Sequence, residues 1–244
     1  MNKTKNMNMK RYLLVLITLL FSSALFSQEV LMNETPDSLY TIKKWGPNRS
    51  HYIHFYVAYG LAVGFPEGNA FDLKYNLSRE WRFGVRYKRR ICNHYAMGLD
   101  LSIASYRYRF EQSNSKQFPD SLLHKKEYLQ LPTVGLEYYN RINFGRRGDR
   151  IGNYLDLGAY ATYTYSPSLT YIDKLSPAYQ GASEAKVELS ELDYITDTQW
   201  GFKARLGISR YVLWASYRMS DWLKTSGKHV DLPRTTVGVE IGLF

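Results

Sequence analysis

Residues Leu77–Phe110, LSREWRFGVRYKRRICNHYAMGLDLSIASYRYRF, decide how the chain is read. Trp81, Phe83, Val85 and Tyr87 share one parity, and Glu80, Arg82, Gly84, Arg86 and Lys88 share the other. Past a short turn near Cys92 and Asn93 the alternation resumes. Tyr95, Met97, Leu99, Leu101 and Ile103 are set against His94, Ala96, Gly98, Asp100, Ser102 and Ala104. Successive strand side chains point to opposite faces, so the stretch is a hairpin with one apolar and one polar face. Each strand runs to roughly a dozen residues, where a globular sheet uses five or six and a tilted bilayer crossing takes about 9–11. The polar face mixes Gly, Ala and Ser with charges of both signs, which suits a narrow lumen whose side chains interleave and pair. A soluble sandwich with its charged face in solvent is the competing reading. The tyrosine content favours a membrane: aromatics are 16% of the chain, with 22 Tyr, and many fall near strand ends where an interfacial girdle lies.

Composition narrows the class further. The 244 residues suit one large domain or one barrel with loops, and no apolar run long enough for a membrane helix follows the N-terminus. Lys3, Lys5, Lys10 and Arg11 precede the apolar run Tyr12 to Phe21, and Ser22, Ser23, Ala24 and Ser27 follow. That order predicts a secretory leader over residues 1–27, cleaved before Gln28, and export by the Sec pathway. Cys92 is the single cysteine, so no internal disulfide forms. The leader takes four of the 32 Lys and Arg, and the remaining 28 against 22 Asp and Glu leave +6. With an export signal, and with arginines scattered along strands, those charges point to anionic lipid headgroups and lumenal ion pairs, not to nucleic acid.

In order, residues 28–49 read as a flexible periplasmic segment and residues 50–244 as the barrel. The first strand covers about His51 to Phe65, and Pro66, Gly68 and Asn69 open a loop. The quoted hairpin supplies strands two and three, and Glu111 to Lys126 is a long polar loop. Strand four covers about Glu127 to Asn143. Its apolar phase slips between Leu129, Leu131 and the later Val134, Leu136, Tyr138, which predicts a bulge at Pro132. A basic turn from Phe144 to Gly152 leads to strand five near Asn153. The excursion Ser166 to Asp197 is acidic, and Val187 and Leu189 alternate with polar residues as a protruding ribbon would. Strands six, seven and eight follow over Thr198–Ser209, Tyr211–Met219 and Arg234–Phe244. The connections alternate long and short along the chain. The prediction is an all-β, eight-stranded antiparallel up-and-down transmembrane barrel with a closed, side-chain-filled lumen, long loops at one rim and both termini at the other.

Three stretches carry a resemblance: the leader ending before Gln28, EYLQLPTVGLEYY from Glu127 to Tyr139, and TTVGVEIGLF from Thr235 to Phe244. They resemble the Bacteroidetes outer-membrane β-barrel family, labelled porin family or PorT-like, and more distantly the OmpX and OmpA barrels. The resemblance implies a Gram-negative outer membrane, with Phe244 similar to the terminal aromatic read by the barrel assembly machinery. It also implies an accessory role in a protein-secretion apparatus as one functional outcome.

Chemistry is sparse in the sequence. Of the five histidines, His51, His54, His94, His124 and His229, His54 and His94 are expected on the lumenal parity, and neither of these two has a convincing Ser or Asp partner by spacing. No metal-ligand spacing and no phosphate loop is present, so neither cofactor nor metal is expected. A lumenal charge network of Glu80, Arg82, Arg86, Asp100, Asp156, Lys203, Arg205, Arg218 and Glu240 is expected to pair internally. The acidic excursion, through Glu184, Val187, Glu188, Leu189 and Glu191, is the candidate surface for a protein partner by strand addition. A structural or partner-binding barrel is therefore expected, with a small pore or a lipid-modifying barrel enzyme as the alternatives.

Overall fold

A computed structural model describes residues 44–64, 71–114, 116, 118–120, 122–144, 150–179, 182–224 and 231–243. The leader, residues 28–43 and Phe244 lie outside the described residues. Ten strands are present: β1 (His51–Val63), β2 (Arg79–Arg90), β3 (Tyr95–Arg109), β4 (Lys126–Phe144), β5 (Asn153–Thr164), β6 (Ser168–Tyr179), β7 (Ala182–Ser190), β8 (Thr198–Ile208), β9 (Tyr211–Arg218) and β10 (Thr235–Leu243). Eight of them close antiparallel in the ring β1-β2-β3-β4-β5-β8-β9-β10, with β10 pairing back onto β1. Closure leaves the wall no unpaired edge, the condition a sheet in lipid must meet.

Strict alternation builds the wall. Ile53, Phe55, Val57, Leu61 and Val63 of β1 point outward and are exposed, whereas Tyr52, His54, Tyr56, Ala58 and Ala62 point inward and are buried. The same outward belt continues through Phe83, Leu101, Leu136, Leu157, Phe202, Leu213 and Val239. A soluble sandwich would bury these side chains and expose the charges; this molecule does the reverse. From Ile53 to Val63 the belt runs roughly 33 Å along the strand, or about 25 Å of height at a tilt near 40°. That matches the apolar band of a membrane barrel.

The interior has three tiers. An apolar plug closes the long-loop end, where Phe71 and Leu73, Phe110, Ile195, Trp222 and Leu232 come from four different connections. Charged side chains fill the middle. Tyr52, Ile151, Tyr154 and Val212 pack at the short-turn end, and residues 44–50 turn beneath them. Lys88 Nζ and Arg90 Nη1 fasten that turn by donating to the carbonyls of Pro47 and Asn48. Tyr56 and Tyr154 lie directly against glycines of adjacent strands, Gly84 and Gly207, where a Cβ would approach their rings to 2.6 and 2.1 Å.

Two expectations are corrected. No bulge occurs at Pro132, because the β3–β4 register runs unbroken from Arg109↔Tyr128 to Tyr95↔Ile142. Leu129 and Leu131 point inward like Glu137 and Arg141; the phase does not slip, because the outer end of the lumen is itself apolar. The Pro132 carbonyl accepts from Tyr165 N on the β5 side, so the missing N–H faces the same side. There β4 exchanges partners, from β5 up to Thr133 to β6 from Gln130, and no ladder donor is lost. His94 is an exposed turn residue before β3, not a lumenal one. Substituting Gly84→Ala is expected to displace Tyr56 and destabilise the barrel by about 1–3 kcal/mol, read as a lower temperature for loss of the compact band in heat-modifiable gel electrophoresis.

Candidate functional site

Every residue of the expected charge network is buried in the lumen. Arg86 on β2 is its hub. Its Nε donates to Asp100 Oδ2 at 2.9 Å, and Nη1 and Nη2 donate to Glu240 Oε1 and Oε2 at 2.6 and 2.9 Å. Tyr56 OH donates to the other Asp100 oxygen at 2.7 Å, and its ring lies 4.4 Å beneath the Arg86 guanidinium. Arg205 on β8 reaches Glu137 and Asp100 through Nη2, while Nη1 and Nε come within 3.8 Å of Asp156 and Glu240. Lys203 Nζ donates to Glu137 Oε2 at 2.9 Å. Arg82 pairs with Glu80, and Arg218 pairs with Asp231 at 2.9 Å.

Three members lie outside the expected set: Asp231, the loop partner of Arg218, and two residues of β4. Arg141 forks onto Asp156 at 2.7 and 2.8 Å with Tyr154 stacked 3.5 Å away, and Glu137 joins Lys203 to Arg205. Their signal was present, since Val134, Leu136 and Tyr138 face outward and leave Glu137, Tyr139 and Arg141 inward. Arg82, Arg86, Arg141, Lys203 and Arg205 thus meet Glu80, Asp100, Glu137, Asp156 and Glu240, five cations against five anions, while the buried Lys88 donates to the Pro47 carbonyl. Two interior voids of about 10 Å³ flank this belt, each on the scale of one water.

A second polar cluster sits at the outer rim. Asp120, His124 and Glu127 bring ligand-type atoms within 4.8 Å of one another. Lys116 occupies their centre, donating to Asp120 Oδ1 at 3.2 Å and to Glu127, so an ammonium already supplies the positive charge. His124 Nδ1 contacts Asp173 Oδ1 on β6 at 2.8 Å, and its ring stacks on Tyr171. The cluster ties residues 116–127 to the ribbon. Burial pulls the Asp120 carboxyl upward, but the hydrogen bond and charge of Lys116 outweigh it and hold its pKa below the usual range. No spacing rule finds this group, because its members come from a loop, β4 and β6.

The ribbon is the β6–β7 hairpin. β6 pairs with the outer end of β4, from Lys126↔Ile172 to Gln130↔Ser168, and β7 pairs with β6. β7 is last in the sheet, so its far edge has no strand partner among the described residues. Val187 and Leu189 are exposed, Glu188 lies 3.5 Å from Lys186, and Glu184 is held by Lys125. Glu191 follows the strand in a left-handed conformation, φ 61°.

No protein-family model matches the sequence, and no curated protein matches it. Among solved structures, the chain is similar to the crystal structure of Ail, the attachment invasion locus protein of Yersinia pestis. Identity is 14% and the TM-score 0.37, over 79% of this chain and 95% of that one. A second structure of Ail, in complex with the heparin analogue sucrose octasulfate, gives 12% identity and a TM-score of 0.33, over 78% and 94%.

Two outcomes follow from the geometry. Glu240→Gln strips Arg86 of its forked partner and is expected to cost about 3–5 kcal/mol, whereas Arg86→Met with Glu240→Met recovers much of the loss; urea titration in detergent measures the cycle. Because the folded pKa of Asp120 is lowered, its stabilising contribution is complete above about pH 4 and is lost as pH falls through the lowered value. Protection factors against hydrogen exchange at residues 122–125, corrected for the intrinsic rate, are therefore expected to fall as pH drops below about 4, with a smaller fall in Asp120→Asn.

Proposed function

We propose that this chain is an integral outer-membrane protein of a Gram-negative bacterium, in which the barrel is an anchor and the outer loops and ribbon bind a protein partner. The open edge of β7 carries this reading. An edge strand presents unpaired N–H and C=O groups to any extended segment that approaches, and Val187 and Leu189 supply apolar contact on one of its faces. The anchor half rests on the outward apolar belt and the balanced ionic lumen.

In this reading the barrel neither conducts nor catalyses. The paired charges and the plug support the first point. For the second, His124 is oriented by Asp173 as a general base would be, yet no serine or threonine hydroxyl among the described residues hydrogen-bonds to it. The resemblance to PorT-like barrels supports one finer form, an accessory subunit of a secretion apparatus. Normal export of secreted cargo in a deletion strain would remove that form.

Deleting residues 177–191 is expected to abolish crosslinks to the partner in intact cells while leaving the barrel folded and in the outer membrane. An unchanged set of crosslinked proteins defeats the ribbon's role. Planar bilayers holding the purified protein are expected to stay silent, and reproducible conductance steps would return the pore reading.

A further inference from the structure

On the outer wall, β2 and β3 pair with Arg79 directly opposite Arg107. Inward burial of Glu80, Tyr106 and Tyr108 fixes the parity, so Arg79, Arg107 and Arg109 all face outward, each partly exposed. Lys74 lies beside them, its amide donating to the Arg109 carbonyl at 2.9 Å. Like charges directly opposite on a sheet repel. Among the described residues no ion pair relieves this group, in contrast to the lumen, where arginines meet carboxylates. Asp72 and Glu111 lie one step further from the belt, exposed and joined to each other by a backbone hydrogen bond.

The position in the wall matters. Arg79 stands one outward position above Trp81, which meets Tyr59 edge-on at 4.8 Å, and Arg107 stands two outward positions above Ile103. On β2 and β3 the apolar belt ends there, toward the long-loop rim, while on β1 Leu61, opposite Arg79, and Val63 carry it further. Arg107 is also held in place: Nη2 donates to Gln130 Oε1 at 3.0 Å, and its guanidinium lies 4.8 Å over the Tyr128 ring. Arg79 and Arg109 have no such anchor among the described residues, so their guanidinium groups can swing toward Arg107 around a phosphate, which accepts two forked donors at once and cancels their repulsion.

We propose that Arg79, Arg107 and Arg109, with Lys74, form a site for the phosphate of a phosphorylated outer-leaflet lipid. The proposal rests on the outer-membrane reading above. It adds a ligand at the wall, independent of the ribbon.

The test is native mass spectrometry of the full chain folded in zwitterionic detergent, titrated with bisphosphorylated lipid A, dephosphorylated lipid A or inorganic phosphate. The bisphosphorylated lipid is expected to bind at least about tenfold tighter than the dephosphorylated one, a fold-change within reach of one charge-assisted hydrogen bond. Arg79→Gln and Arg107→Gln should each remove that preference, and Arg89→Gln, exposed at the opposite rim, should retain it. Equal binding of the two lipids, or equal loss in Arg89→Gln, overturns the site. Full competition by inorganic phosphate at matched concentration overturns the lipid assignment in favour of a soluble anion. Arg79→Gln without lipid should unfold at the same or a higher temperature, since a repulsion is removed; a lower temperature overturns the proposal. Membrane fractionation separates the two levels: a protein found in the outer membrane without phosphate preference sinks this site alone, and a protein found elsewhere sinks the outer-membrane reading and the site together.

Discussion

Compensation of buried charge inside a closed wall is the condition on which this structure depends. An eight-stranded barrel leaves an interior just wide enough for side chains, so ionised groups placed there cannot keep their hydration shells. Each must meet an opposite charge or, as Lys88 does at Pro47, a backbone carbonyl. Arg86 and Arg205, on strands on opposite sides of the β1–β10 seam, share Asp100, and Glu137 and Glu240 complete the lattice. Because the partners come from β2, β3, β4, β8 and β10, the lattice forms only when the barrel is closed. Register and electrostatics therefore enforce each other: a strand shifted by one residue would turn its charges into lipid and leave their partners alone in the lumen.

Aromatic rings make that crowding workable. Tyr56, Tyr139 and Tyr154 lie among the guanidinium groups, offering a polarised face to the cation and filling space that would otherwise be void. Bare glycines opposite them provide the room. The high tyrosine content thus has an interior use as well as the interfacial one assigned from the sequence. Above this layer the chemistry changes abruptly, and four connections contribute apolar side chains to a plug that behaves as a small soluble core set into the barrel mouth.

Alternation made the wall legible, and the charge network followed from it, because parity alone says which side chains share the lumen. The same rule misled at Leu129 and Leu131. In a lumen polar throughout its height two inward leucines would mean a slipped phase, but here they belong to the plug. Arg141 and Glu137 were missed in the shadow of that supposed slip. The ribbon was legible as alternation around Val187 and Leu189, but its pairing to β4 was not, because nothing local says which wall strand extends to receive it. The Lys116, Asp120, His124 and Glu127 cluster assembles only through loop packing, which leaves no periodic trace.

The partner exchange of β4 at Pro132 has a mechanical consequence. One continuous strand belongs to the ribbon at its outer end and to the wall below, and along both parts together it shares fifteen register pairs with β3. A pull on the ribbon along that strand would load those hydrogen bonds together in shear, not peel them one at a time. Tension applied to the ribbon would reach the wall without passing through a hinge.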